Sequence, residues 1–346
     1  MRWDNLRLDG STDAAASPLF GAVERTFDTP AFRGMTFYEV RARSIINKVP
    51  AVSRVPFDHT INPYRGCAHR CVYCFARNTH TYLDLDAGLD FDSKVIVKVN
   101  APELTRRELA SPRWRGRPIA MGTNVDCYQR AEGRYRLMPG IITALSEAAN
   151  PFSILTKGTL ILRDLDLLTR AAEVTDVSTA FSVGFVDADA WQAVEPGTPH
   201  PHRRLEACRT LNEAGIPCGV LMAPILPYLT DSPGQLDQTV RAIAESGATH
   251  LTPIVLHLRP GAREWFLTWL GRTHPRLVPR YLELYGRGAY APRGYQERIA
   301  GQVRELAERY GIGKGGTRPR LRPRLRHPAP APAPARHPEP EQLALL

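Results

Sequence analysis

The stretch INPYRGCAHRCVYCFAR, residues 61–77, places Cys67, Cys71 and Cys74 within eight positions, and the rest of the 346-residue chain holds no comparable cluster. The spacing is C-x3-C-x2-C. Two cysteines suit a disulfide, and four close a tetrahedral zinc site. Three on so short a loop can ligate three irons of a [4Fe-4S] cube and leave the fourth iron open to a small molecule. Zinc stays as the alternative, with His69, His80 or Cys127 as fourth ligand. The preceding run TINPYR (60–65) reads as a strand, so the cysteines fall on the loop that follows it.

Working outward, short β-rich runs alternate with amphipathic segments. The runs are KVIVKV (94–99), PIAMG (118–122), FSILT (152–156), VSTAFSV (177–183), CGVLMA (218–223) and HLTPIVL (250–256). They are apolar without clean alternation, as buried parallel strands are. Between them lie helical patterns such as RLMPGIITALSEAA and PHRRLEACRTLNEAG. Gly215 and Gly247 stand where helix C-caps are expected, just before the next strand. The rhythm predicts repeated β-α units in an α/β fold, as a complete or partial parallel barrel or a doubly wound sheet. In either arrangement the chemistry belongs at the C-terminal ends of the strands, where the cysteine loop lies.

The organisation read from the chain is an N-terminal extension (1–57), a core (58–260), a helical cap (261–313) and a tail (314–346). The tail, RPRLRPRLRHPAPAPAPARHPEPE at its centre, is basic and proline-rich, cannot build a core, and is expected to be disordered. Lys and Arg number 45 against 35 Asp and Glu, an excess of ten, of which the tail supplies five. Such an excess attracts polyanions, which makes nucleic acid a candidate partner. No signal-peptide pattern and no long apolar run is present, so the expectation is a cytoplasmic protein without membrane contact. A reducing compartment directs six cysteines toward metal or catalysis rather than disulfides.

The cysteine motif, with the aromatic Tyr73 directly before the third cysteine, resembles that of the radical S-adenosylmethionine (radical SAM) superfamily. The resemblance implies a partial β/α barrel, a [4Fe-4S] cluster on Cys67, Cys71 and Cys74, and SAM bound at the open iron. It implies an enzyme in which one electron cleaves SAM to methionine and a 5′-deoxyadenosyl radical that takes hydrogen from a substrate. A donor such as flavodoxin or ferredoxin would supply that electron. A narrower resemblance, over about residues 58 to 260, is to the spore photoproduct lyase-like branch. It rests on NPYRGCAHRCVYCFAR, GTNVDCYQRAE, ILTKG, AFSVG and EPGTPHPHRRLEACRTLNEAGIPCGVLMAPILP in that order. By this resemblance Tyr73 lies beside the adenine, and Val125, Asp126, Lys157, Ser182 and Ala223 line the SAM pocket.

The residue chemistry agrees with those roles. Lys157 ends a predicted strand and can pair with the SAM carboxylate as a point charge; Ser182 can hydrogen-bond, and Asp126 can hold a hydroxyl or form a local turn. Glu195 and Arg204 can pair with each other or reach the cofactor, and a structural role is the expectation. The chain departs from the lyase pattern at Thr123, where the lyase has a hydrogen-donating cysteine, and at Val125 and Phe75. Cys127 is the candidate substitute donor, against a reading as a small buried residue. Cys208 and Cys218 read as core, and His257, at a strand end near the pocket, can contact substrate or be only hydrogen-bonded in place. The competing class is a zinc-containing nucleic-acid-binding protein without catalysis.

Overall fold

The computed structural model describes residues 6–7, 21–50, 53 and 55–313; the tail expected to be disordered lies outside them. Twelve strands are present among these residues, in two sheets. In chain order they are β1 (Leu6–Arg7), β2 (Val23–Thr26), β3 (Thr36–Ala42), β4 (Ile46–Lys48), β5 (His59–Ile61), β6 (Tyr64–Arg65), β7 (Lys94–Lys98), β8 (Ile119–Met121), β9 (Phe152–Thr156), β10 (Val177–Ser182), β11 (Cys218–Ile225) and β12 (Leu251–Val255).

The larger sheet runs β12-β11-β10-β9-β8-β5-β4. From β5 to β12 every pairing is parallel, and β4 closes the edge antiparallel to β5. Helices Leu137–Glu147, Leu165–Val174, Pro201–Glu213 and Pro233–Glu245 cross between successive strands. This is a partial parallel β/α barrel, as the alternation predicts. The caps follow sequence rules: Ser232 and Gln235 form a capping box, and Gly215 and Gly247 terminate their helices at φ +80 and +70, a conformation glycine adopts freely.

One strand corrects the sequence reading. The run at 94–99, taken as a barrel strand, forms β7 of the smaller sheet, parallel to β3 and antiparallel to β6. Val95 and Val97 face the main core while Ile96 packs with Tyr38 and Val40 in a second one. A strand with two apolar faces reads the same from sequence in either sheet, because only pairing distinguishes them. The run at 60–65 is likewise two strands: Pro63, which has no amide to donate, separates β5 from β6, and each joins a different sheet. The chain thus crosses from barrel to second sheet immediately before the cysteines.

The C-terminal helices close over the strand ends. Tyr281 and Tyr285 donate their hydroxyls to the carbonyls of Pro227 (2.6 Å) and Leu256 (2.7 Å), just past β11 and β12. Among the described residues no helix is long and apolar enough to cross a membrane.

Candidate active site

Two sheets and the loop between them hold the cysteines. The Cys67 amide donates to Phe91 O at 3.0 Å, and Cys71 and Cys74 are joined by an amide-to-carbonyl bond of 3.2 Å. The opposite flank of the loop docks on the end of the helix Ala188–Val194 and the turn that follows it. Val72 N donates to Val194 O (3.0 Å) and Gly197 N donates to His69 O (3.0 Å). A Cβ on residue 197 would stand 2.2 Å from the Ala68 carbonyl oxygen, so only glycine allows this approach. Gly197→Ala is expected to destabilise the fold by roughly 1–3 kcal/mol through that backbone clash, read as a shift in the denaturant midpoint; an unchanged midpoint would contradict the docking.

Arg77 fixes the loop from beneath. Fully buried, it donates to Cys71 O (3.0 and 3.3 Å), to Ala87 O (3.1 Å), to Gly88 O (2.9 Å) and to Asp92 (2.7 Å). Its guanidinium lies between the rings of Phe91 and Trp265, at 5.2 and 4.8 Å. Sequence reading assigned Arg77 no role. Its one visible signal is a position three residues beyond Cys74.

Burial pushes all three thiols up, and each of Cys67 and Cys71 feels the charge of its neighbours on the loop. Neither nearby histidine joins them. His69 Nδ1 faces Asp126 at 3.4 Å, and burial holds its pKa down to about 4; His80 Nε2 is 2.9 Å from Lys94 O. Among the described residues no three His, Cys, Asp or Glu side chains converge on a single-ion position. The donor set is therefore three thiols without a nitrogen partner. It suits a cube, whose ligands stand farther apart than those of one zinc ion.

The strand-end residues converge on the same loop. Lys157 follows β9, Ser182 ends β10 and Ala223 lies near the end of β11, three adjacent parallel strands. Lys157 Nζ donates to Ser182 Oγ, reaches Ala223 O at 3.5 Å and Glu195 at 3.4 Å, and stands 5.8 Å from the centroid of the Tyr73 ring. Ser182 Oγ in turn donates to Ala223 O at 2.7 Å. Tyr73 donates its hydroxyl to Glu195, so the residue between two cysteines is bonded into the network.

Glu195 and Arg204 pair directly, and both are buried. Arg204 also donates to Ser182 O (2.9 Å), Pro199 O (2.8 Å) and Thr198 Oγ1 (2.6 Å). Burial on its own pushes the Glu195 carboxyl up, but Arg204 and Lys157 hold it down to about 2. The pair is structural, as expected, and it also lies in the candidate site, where Glu195 contacts both Tyr73 and Lys157.

Asp126 bonds the backbone amide of Lys157. It accepts from Tyr128 N (2.8 Å), Thr156 Oγ1 (2.6 Å) and Lys157 N (2.6 Å), fastening the β8 loop to the end of β9. Val125 is buried next to it. Cys127 is fully buried, and its thiol is pushed up first by burial and then by the charges of Asp126 and Glu132. His257 forms a backbone bridge to Tyr290 and packs against its ring at 4.6 Å.

A partial β/α barrel with a three-thiol loop and a half-buried lysine at its strand ends defines a class of cofactor-dependent barrel. The chain matches the family model of the radical SAM superfamily over residues 61–243 and belongs to that superfamily. It is 50% identical to an uncharacterised protein of Mycobacterium tuberculosis over 295 residues, 85% of this chain and 86% of that one. It is 30% identical to an uncharacterised protein of Methanocaldococcus jannaschii over 195 residues, 56% of this chain and 69% of that one. Its fold is similar to that of spore photoproduct lyase. A single-site variant of that enzyme superposes with TM-score 0.62 at 18% identity, covering 80% of each chain. A double variant with bound AdoMet and dinucleoside spore photoproduct superposes with TM-score 0.57 at 18% identity, covering 75% and 76%. The protein is thus an enzyme of the radical SAM class, and the expected likeness to the lyase is met in the fold.

Proposed function

We propose that Cys67, Cys71 and Cys74 hold a [4Fe-4S] cluster and that the pocket formed by Tyr73, Lys157, Ser182 and Ala223 holds SAM. The observation that carries this reading is the convergence of Lys157, Ser182 and Ala223 from three adjacent strands onto Tyr73, inside the cysteine loop. Bound there, the reduced cluster supplies the electron that cleaves SAM to methionine and a 5′-deoxyadenosyl radical. The chain's residues bind and orient. Lys157 presents its ammonium to the SAM carboxylate, Tyr73 offers a ring face to the adenine, and the buried Glu195–Arg204 pair fixes the Tyr73 hydroxyl.

Cys74 is the most exposed of the three thiols, which supports electron entry on that side from a protein donor such as flavodoxin or ferredoxin. Nucleic acid is the substrate class we propose. Its support is the exposed Phe75 beside Cys74, with the Arg259 guanidinium 5.5 Å from the ring and donating to the hydroxyl of the exposed Tyr290. Aromatic faces with arginine suit stacking of an unpaired base.

Anaerobic reconstitution with iron and sulfide, then reduction in the presence of SAM, is expected to release 5′-deoxyadenosine. A full cluster that yields none would sink the radical reading. Oligonucleotide binding is expected to fall with rising salt and to weaken in Arg259→Ala; salt-insensitive binding, equal with and without residues 314–346, would remove the nucleic-acid proposal.

A further inference from the structure

Lys157 has three ammonium protons and three acceptors: Ser182 Oγ, Ala223 O and Glu195. A lysine that is to meet a cofactor carboxylate therefore has to exchange one of them. Ser182 Oγ is itself tied to Ala223 O, and these two acceptors belong to neighbouring strands of one sheet. Glu195 is different. Its carboxylate keeps Arg204 on one oxygen and Tyr73 on the other, whether or not Lys157 stays. Releasing Lys157 leaves no bare buried charge behind, because Arg204 remains paired and is further held by Ser182 O, Pro199 O and Thr198.

We propose that Glu195 is a positioning residue for Lys157: it holds the ammonium at the pocket as a stand-in carboxylate and yields it to the carboxylate of SAM. This rests on the SAM reading given above. Two features of the geometry support it. The Lys157–Glu195 separation of 3.4 Å is longer than the hydrogen bonds that fasten Arg204, and Glu195 bridges the cysteine loop and β9, the two elements a cofactor between them would touch. An exchange of one carboxylate for another also costs less than desolvating a free lysine for each binding event.

The test is a double-mutant cycle read as binding, not turnover. SAM and methylthioadenosine, which lacks the amino-acid carboxylate, are titrated into anaerobically reconstituted wild type, Glu195→Gln, Lys157→Met and the double variant. Glutamine still accepts the Tyr73 hydroxyl, so the adenine contact is kept. Glu195→Gln is expected to tighten SAM about tenfold, because the contact that Lys157 gives up on binding is then missing from the free protein, and to leave methylthioadenosine within about twofold. The double variant is expected to bind SAM no more tightly than Lys157→Met alone, since Glu195 acts through that lysine. A Glu195→Gln effect of the same size with and without Lys157, an equal change for both ligands, or an unchanged or weakened SAM affinity in Glu195→Gln would each overturn the proposal. If wild type with a full cluster binds no SAM, the cofactor reading itself falls; if wild type binds and the cycle shows no coupling, only the role of Glu195 does.

Discussion

Cys71→Ala is expected to strip the reconstituted protein of its brown absorbance, to reduce iron from about four per chain to near zero, and to bring 5′-deoxyadenosine formation to background. Three thiols on one loop are the whole donor set, His69 faces Asp126, His80 faces Lys94 O, and Cys127 is enclosed in the core, so no neighbour replaces a missing ligand. The fold should survive, because Arg77 grips residue 71 through its carbonyl and not its sulfur. Cys208→Ala provides the contrast. Cys208 is fully buried between helix Pro201–Glu213 and β11, so its loss should cost roughly 1 kcal/mol of stability and no iron. A Cys71→Ala protein that still holds four irons would end the three-cysteine reading, and one zinc per wild-type chain would favour the colourless binder instead.

The second large effect is on stability. Arg204→Met is expected to cost about 3 kcal/mol, because it leaves a buried Glu195 carboxylate with Lys157 at 3.4 Å as its remaining cation. Adding Glu195→Gln should recover most of the loss, since the penalty is the unpaired charge rather than a missing attraction. Denaturant midpoints of the single and double variants measure both numbers; an Arg204→Met protein within about 0.5 kcal/mol of wild type would show that the pair is not the closed network described. Acid titration adds a sign. Glu195 sits near 2 rather than its ordinary 4.5, so its ion pair contributes fully above about pH 4.5 and is lost as the pH falls toward about 2. Arg204→Met should remove that acid-side slope.

Much of this site was legible in the chain because its parts lie on short, repeated elements. The cysteine spacing is a local pattern within one loop, and Lys157, Ser182 and Ala223 each end or nearly end a recognisable apolar run. In a parallel sheet the ends of such runs come together whatever the loops do between them. Helix boundaries at Gly215 and Gly247 were equally local, set by glycine at a left-handed position. Asp126 is a case where two roles fitted the sequence; its bonds to Tyr128 N, Thr156 and Lys157 N place it as a brace between loops.

Sequence alone determined the three-thiol loop, the β/α alternation and the strand-end lysine, since each depends on spacing within a single segment or on a period that a parallel barrel must obey. The tertiary structure alone decided which sheet receives β7, how Arg77 is buried beneath Cys71, and that Glu195 joins Tyr73 to Lys157 across 122 and 38 positions of chain. Those are pairings between distant segments. Their partners are chosen by burial of charge and by the register of neighbouring strands, and neither leaves a mark on the local order of residues.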